Sequence, residues 1–274
     1  MADTTLPPAS ADLVERVARE CGQCLEMRFC MPVQSDTMGH RFTEHLCMPC
    51  RLDFDRAAAL RLVWATPDAD ALVACMARVS APDNQANTAT APRLIGYLIR
   101  NRHWSPFEMV SLCMEVTTTR DVARQLLRHR SFSFQEFSQR YAAVDALPEA
   151  PLREARMQDP KNRQASVACD DLALANWWIA AQDEVSATAR NAYQLAVKSG
   201  IAKEVARAVL PEGLTTSRLY MAGTARSWLH FCDVRRGNGT QPETQAIADA
   251  AWAVMQGACP AICEAWDKRE VAHG

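Results

Sequence analysis

Residues 125–142 read QLLRHRSFSFQEFSQRYA. The stretch opens inside a helical pattern. Arg120, Arg124 and Arg128 recur at i, i+4 and i+8 on one face, while Val122, Leu126 and Leu127 serve the other. Thr118 and Asp121 have capping-box spacing, so the expected helix runs from there through Arg130. The chain then alternates, and Phe132, Phe134, Glu136, Ser138 and Arg140 share one side if extended. Arginines, His129, a serine and a glutamate therefore converge at one helix–strand junction, surrounded by Phe132, Phe134, Phe137 and Tyr141.

Arginine presents a planar fork of donors that matches phosphate in bidentate fashion, and aromatic rings can stack on a flat ligand or fill core. Spacing alone leaves two readings open. One is a solvated basic helix end beside an aromatic strand; the other is a site for an anionic, ring-bearing ligand such as a nucleotide. Arg207 (in EVARAVLPEG), Arg226 with His230 at i+4, and Arg235 add basic positions downstream. There is no Walker loop, and the GNG at 237–239 is not a GxGxxG fingerprint.

Outward from this stretch, helices are expected over 67–80, 91–102, 171–199 (with Gly200 as C-cap), 202–210 (ending at Pro211), 224–235 and 241–257. Val110, Leu112, Met114 and Val116 alternate with Ser111, Cys113 and Glu115, which predicts a strand over 109–117. A second strand is expected over 214–220, a turn at 105–107 and a loop over 146–163. Helices dominate with a few strands, so the fold class is α+β.

The chain has 274 residues, 49% hydrophobic and 23% charged, enough for one or two compact domains. Its net charge of −2 excludes a general polyanion binder, so anion binding must be local. The longest uncharged run, Ala250 to Cys263, falls short of the roughly 20 residues a membrane helix needs. No basic region followed by an apolar stretch opens the chain, so a cytoplasmic protein with no membrane contact is expected.

The expected organisation is a disordered lead (1–16), a cysteine-rich module (17–53), a connector (51–70) and a large domain over about 60–274. Cys21, Cys24, Cys47 and Cys50 form two CxxC pairs, the knuckle arrangement that offers tetrahedral zinc four thiolates. A strand is expected at 25–30 and a turn near 36–39 between them. So short a module would draw its folding energy from metal, which predicts a zinc-ribbon-like unit. Cys30, His40 and His45 are substitute ligands. The competing readings are a redox pair, or cysteines without function.

The motifs together resemble a known family. Arg128-His129-Arg130 followed after seven residues by Ser138 is similar to the RHRx7S signature of the flavin-dependent thymidylate synthases. ARVS at 77–80, HWSPFE at 103–108, ARAVLP at 206–211, TARSWLHFCDVR at 224–235 and TQPE at 240–243 resemble its other motifs in order. The resemblance implies that dUMP is methylated at C5 to dTMP. Methylenetetrahydrofolate would supply the carbon, and FAD, reduced by NADPH, the hydride. It places Gln125, Arg128, Glu136, Phe137, Ser138, Gln139, Arg140, Arg207 and Arg235 on dUMP, with Arg235 favouring ionisation at N3 of the pyrimidine. It places Ser80, His103, Ser105, Arg128, His129, Arg130, Glu136, Thr224, Ala225, Arg226 and His230 on FAD, and it implies a homotetramer. Gln135, Met109, Thr224, His230 and Gly239 depart from residues frequent in the family.

Two other classes stay in view. A zinc-dependent nucleic-acid-binding or regulatory protein would use the arginine cluster as a phosphate groove. A thiol oxidoreductase would use the CxxC pairs.

Overall fold

The computed structural model describes residues 30–37 and 40–47 as backbone, and 60–237 and 239–269 in full. The chain divides into two units, 1–58 and 59–274. In the first, strands β1 (Cys30–Thr37) and β2 (His40–Cys47) form an antiparallel hairpin in register from Cys30–Cys47 to Thr37–His40. The expected strand 25–30 meets β1 only at Cys30. The lead and Cys21, Cys24 and Cys50 lie outside the described residues, as does the Cys47 side chain.

The second unit is organised on β4 (Ser111–Thr119), the strand whose alternation is legible in the sequence. Leu112, Met114 and Val116 point into the core and are fully or nearly fully buried. The opposite face is partly covered too. Glu115 accepts from Arg61 Nε and Nη2, each at 2.9 Å, and a carboxylate paired this way can be buried. Arg61 belongs to β3 (Leu60–Ala65), which pairs antiparallel with β4. Sequence reading assigns 51–70 to a connector; the structure corrects this, because β4 gives Leu60–Ala65 a ladder to join. On its other side β4 pairs with β8 (Thr216–Thr224), from Ser111–Thr224 to Thr119–Thr216. Strand β5 (Ser133–Glu136) completes the sheet against β8, giving the order β3-β4-β8-β5.

Eight α-helices accompany this sheet among the described residues, and six of them, all but the 172–198 and 203–206 helices, contribute to its core. The eight are α1 (Ala69–Ala77), α2 (Ala91–Arg100), α3 (Arg120–Leu126), α4 (Leu172–Lys198), the single turn α5 (Lys203–Ala206), α6 (Ala225–Arg235), α7 (Pro242–Ala258) and α8 (Pro260–Asp267). The core gathers Phe107, Leu126, Leu219, Met221, Trp228, Phe231 and Met255. Trp228 Nε1 donates to Leu112 O at 3.2 Å, satisfying the indole inside it. The mixture of one antiparallel sheet with segregated helices is α+β, as expected.

Several boundaries differ from the sequence reading. Helix α3 stops at Leu126, with no side-chain cap; Thr119 Oγ1 donates to Asp121 Oδ1 instead of capping the backbone. The chain turns through His129 N–Leu126 O and Phe132 N–His129 O bonds, which carries Phe132 into the core. Residues 207–209 tighten into a 3-10 turn after α5. Strands β6 (Arg156–Gln158) and β7 (Ser166–Ala168) form a small hairpin that begins inside the expected 146–163 loop. Helix α4 starts as expected: Asp171 accepts from the N–H groups of Ala173 and Leu174.

Candidate active site

Three residues after α3, His129 meets the last turn of α6. Arg235 Nε donates to His129 Nε2 at 2.9 Å. Burial, then the neighbouring Arg235, His230 and Arg128, push the imidazole's pKa down to about 4. It is therefore neutral and can accept. Burial and the Arg128 charge also lower the pKa of Arg235 from its ordinary value. The imidazole stands edge-on to Phe231 at 5.1 Å and to Phe132 at 6.4 Å between centroids. Phe132 in turn packs against Trp228 and under Gly223, where an added Cβ would lie 2.4 Å from Phe132 Cδ1.

Helix α3 presents Gln125 to the start of α7. Gln125 Nε2 donates to Gln241 Oε1, and Thr244 Oγ1 donates to Gln125 Oε1. Gln241 Nε2 donates to Glu243, which also accepts from Arg156 Nη2 at 2.6 Å. Burial opposes ionisation of Glu243, but the bonds from Arg156 and Gln241 outweigh it, so its pKa lies below the ordinary value.

Glu136, on edge strand β5, accepts from Ser217 Oγ at 2.6 Å and from Arg120 Nη1 at 3.5 Å. The expected alternation holds through Glu136 and then breaks. Phe137 N donates to Arg218 O, the chain coils at 138–142, and Gln139 rather than Ser138 is buried. Gln139 Nε2 has no acceptor among the described residues. Arg140 pairs with Glu204, whose carbonyl accepts from Arg207 Nε. At the start of α6, Thr224 Oγ1 and Arg226 Nη1 donate to Glu108 at 2.7 and 2.8 Å, which ties α6 to the 3-10 turn Ser105–Glu108. Thr224 also caps α6, accepting from Ser227 N. Ala225 is buried beneath this cap.

The expected site residues thus fall into sets. His129 and Arg235, with Arg128 and His230 beside them, form one. Glu136 with its partners is another, as are Arg140 with Arg207 and Thr224 with Arg226. Ser80 and His103 are exposed in the loops after α1 and α2; His103 makes an edge contact with Tyr97 at 5.8 Å. The shared face expected for Arg120, Arg124 and Arg128 is not formed: Arg128 lies past α3, and the first two pair with Glu136 and Glu212. Arg140 and Arg226 are paired as well, with Glu204 and Glu108. Glu108, Gln241, Thr244 and Ser217 carry contacts that sequence reading does not single out as site residues. The HWSPFE and TQPE motifs contain Glu108 and Gln241, and so offered a signal.

Among the described residues, Arg128, Arg130, Arg207 and Arg235 have no carboxylate partner, and no group of three or more His, Cys, Asp or Glu is placed to hold a metal. Arg128 and Arg235 stand beside the neutral imidazole of His129, and cations without internal counter-charges suit a phosphate-bearing, hydrogen-bonding ligand. They fit both a nucleotide and the diphosphate of a dinucleotide.

The family model described as thymidylate synthase complementing protein matches residues 61–261. The chain belongs to this family. Among its relatives, a probable flavin-dependent thymidylate synthase of Paramecium bursaria Chlorella virus 1 is 45% identical over 199 residues, covering 73% of this chain and 91% of the relative. The flavin-dependent thymidylate synthase of Synechocystis is 44% identical over 196 residues, covering 72% and 88%. Among solved structures, the UMP/dUMP methylase PolB from Streptomyces cacaoi, bound with 5-Br dUMP, is similar with a TM-score of 0.66 and 31% identity. The match covers 76% of this chain and 93% of PolB. The thymidylate synthase complementing match begins within β3 and ends within α8, so it spans the sheet and every site contact described above.

Proposed function

We propose that this chain methylates dUMP at C5 to give dTMP, with FAD as its flavin, NADPH as reductant and methylenetetrahydrofolate as carbon donor. The family and its relatives support the reaction and the flavin. The observation that carries the residue roles is Arg235, held by neutral His129 beside Arg128, with no carboxylate among the described residues to quench it.

Its chemistry follows from charge. A uracil ring deprotonated at N3 is electron-rich at C5 and attacks a one-carbon electrophile. An unquenched guanidinium at the ring stabilises that anion more than the neutral ring, which is electrostatic catalysis. Gln125, fixed from both sides of its amide, reads the nucleotide; Ser138, Gln139, Arg140 and Arg207 hold its phosphate end, with Glu136 and Phe137 lining the approach. Arg128, His129, Arg130, Ser80, His103, Ser105, Thr224, Ala225, Arg226 and His230 hold FAD. When bound, FAD supplies the hydride that completes the methyl group.

A homotetramer is part of this reading. Helix α4 runs 27 residues, yet only Gln182 and Tyr193 are buried, while Leu172, Trp177, Val185 and Leu195 are exposed. Trp177, Val185 and Leu195 fall on one side of the helix, and apolar side chains exposed together ask for a cover. Zinc on Cys21, Cys24, Cys47 and Cys50 is read from spacing; metal content after dialysis tests it. Among the described residues no helix is long and apolar enough to cross a membrane.

The test is tritium release from C5-tritiated dUMP by FAD-loaded wild type and Arg235→Ala. Wild type should release tritium with methylenetetrahydrofolate and NADPH, and the variant should lose at least about a hundredfold in rate while keeping flavin. Normal release by the variant would remove Arg235 from this role.

A further inference from the structure

Of the residues that resemblance assigns to the flavin, His129 has its ring committed elsewhere. Its Nε2 accepts the Nε–H of Arg235, the residue read above as acting on the pyrimidine. We infer that His129 is a positioning residue for Arg235: its imidazole anchors the inner nitrogen of the guanidinium, so the outer nitrogens are aimed at the nucleotide ring. This rests on the proposed role of Arg235.

The geometry favours a purposeful anchor. Phe231 and Phe132 hold the imidazole edge-on from two directions, so its lone pair has a fixed heading. Arg235 sits at the last residue of α6, where a long side chain would otherwise sample many rotamers. One bond to Nε fixes the plane of the guanidinium while leaving both terminal NH2 groups without a carboxylate among the described residues.

The identity of the anchor matters electrostatically. Four other arginines here are held by carboxylates: Arg120 by Glu136, Arg124 by Glu212, Arg140 by Glu204 and Arg226 by Glu108. A carboxylate beside Arg235 would orient it equally well, but would cancel the positive potential that an anionic uracil ring needs. A neutral acceptor orients without cancelling. Imidazolium could not serve, since it has no lone pair at Nε2 and would add a like charge. The cationic or titratable groups facing the ring are Arg128, Arg235 and His230, and all three oppose its protonation, as burial does. With Nε2 accepting, the imidazole proton lies on Nδ1, which is free to donate to a bound flavin; the two roles are compatible.

The test uses the FAD-loaded protein with 5-fluoro-dUMP, whose N3 ionisation is followed by fluorine NMR as pH is varied. His129→Gln returns an acceptor near the place of Nε2. His129→Leu removes it, and His129→Asn withdraws it by about a bond length. We expect Leu and Asn to raise the ionisation midpoint of the bound ring by about one pH unit. They should also lower tritium release from C5-tritiated dUMP about tenfold, with KM for dUMP within about twofold. Gln should restore both. In an Arg235→Ala background, His129→Leu should move the midpoint no further, because its effect passes through the missing group. Should His129→Leu fail to retain FAD, the Asn and Gln pair carries the comparison. A wild-type midpoint in both Leu and Asn variants, or a further shift on top of Arg235→Ala, overturns the inference and leaves the reaction assignment intact. A wild-type midpoint in Arg235→Ala itself overturns the role given to Arg235.

Discussion

Gln125 donates from Nε2 to Gln241 Oε1 at 2.6 Å, joining α3 to the start of α7 across 116 residues of sequence. Thr244 Oγ1 fixes the other side of the same amide at 3.0 Å. The Gln125 side chain therefore has one orientation, with nitrogen and oxygen each assigned. Thr244 is fully buried, so Thr244→Val keeps the shape and deletes the donor. The loss should be about 1 kcal/mol, or a few degrees of melting temperature. If Gln125 reads dUMP, KM for dUMP should rise several-fold while FAD content stays unchanged. Calorimetry and steady-state kinetics check the two effects.

Gly223 is pinned by packing. An alanine there would drive its Cβ into the Phe132 ring, at 2.4 Å from Cδ1 and 2.6 Å from Cε1. Phe132 cannot retreat freely, because Trp228 and Phe231 stand against it. Gly223→Ala should cost roughly 1–3 kcal/mol. It should also disturb His129, which shares that aromatic cluster, so tritium release should fall more than stability alone explains.

Glu243 gives the acid limb of stability a specific source. Burial works against its charge, but Arg156 and Gln241 bond the carboxylate and leave its pKa below the ordinary value. The folded state therefore holds that proton more weakly than the unfolded chain does. This contribution is present above the unfolded value of 4.5 and is lost as pH falls through the lower folded value. Glu243→Gln should lower the melting temperature at pH 7, and its difference from wild type should shrink as pH approaches 3. A difference that stays constant over that range would contradict the linkage.

Glu108 collects Thr224 and Arg226, holding the start of α6 to the 3-10 turn that contains Ser105. Glu108→Gln can still accept from Thr224 but loses the charge that holds Arg226. Flavin retained after extensive dialysis, read at its visible absorbance, should fall several-fold, with far-ultraviolet circular dichroism unchanged. Full retention would remove this set from the flavin site.

The sequence was legible wherever the signal is local. Pro92 and Gly200 mark helix ends by their own conformational limits and Asp171 by its capping carboxylate, and the alternation around Met114 marks β4 because the sheet buries one face more than the other. It failed where a partner far along the chain decides. Leu60–Ala65 becomes a strand because β4, about 50 residues on, offers it a ladder. Helix α3 stops before Arg128 because Phe132 is drawn into the core, a demand that helical spacing of arginines cannot express. Arg102 adopts φ 56° at the end of α2, where glycine is customary, and no local pattern announces it. At the candidate site, the sequence marks where the basic residues stand. Which of them stay unquenched depends on Glu136, Glu204, Glu212 and Glu108, acids set beside their arginines only by the tertiary fold.

Strand β8 and helix α6 form one unbroken run, 216–235. Ser217 on this run meets Glu136, Thr224 meets Glu108, and Arg235 meets His129. A single inserted or deleted residue within 218–223 would invert which side chains face inward and slide every later contact out of step. The proposed substrate and flavin contacts are thus graduated on a common ruler. Drift along that ruler must proceed by replacement, while changes in chain length are left to stretches such as 159–165, whose spacing the main sheet does not measure.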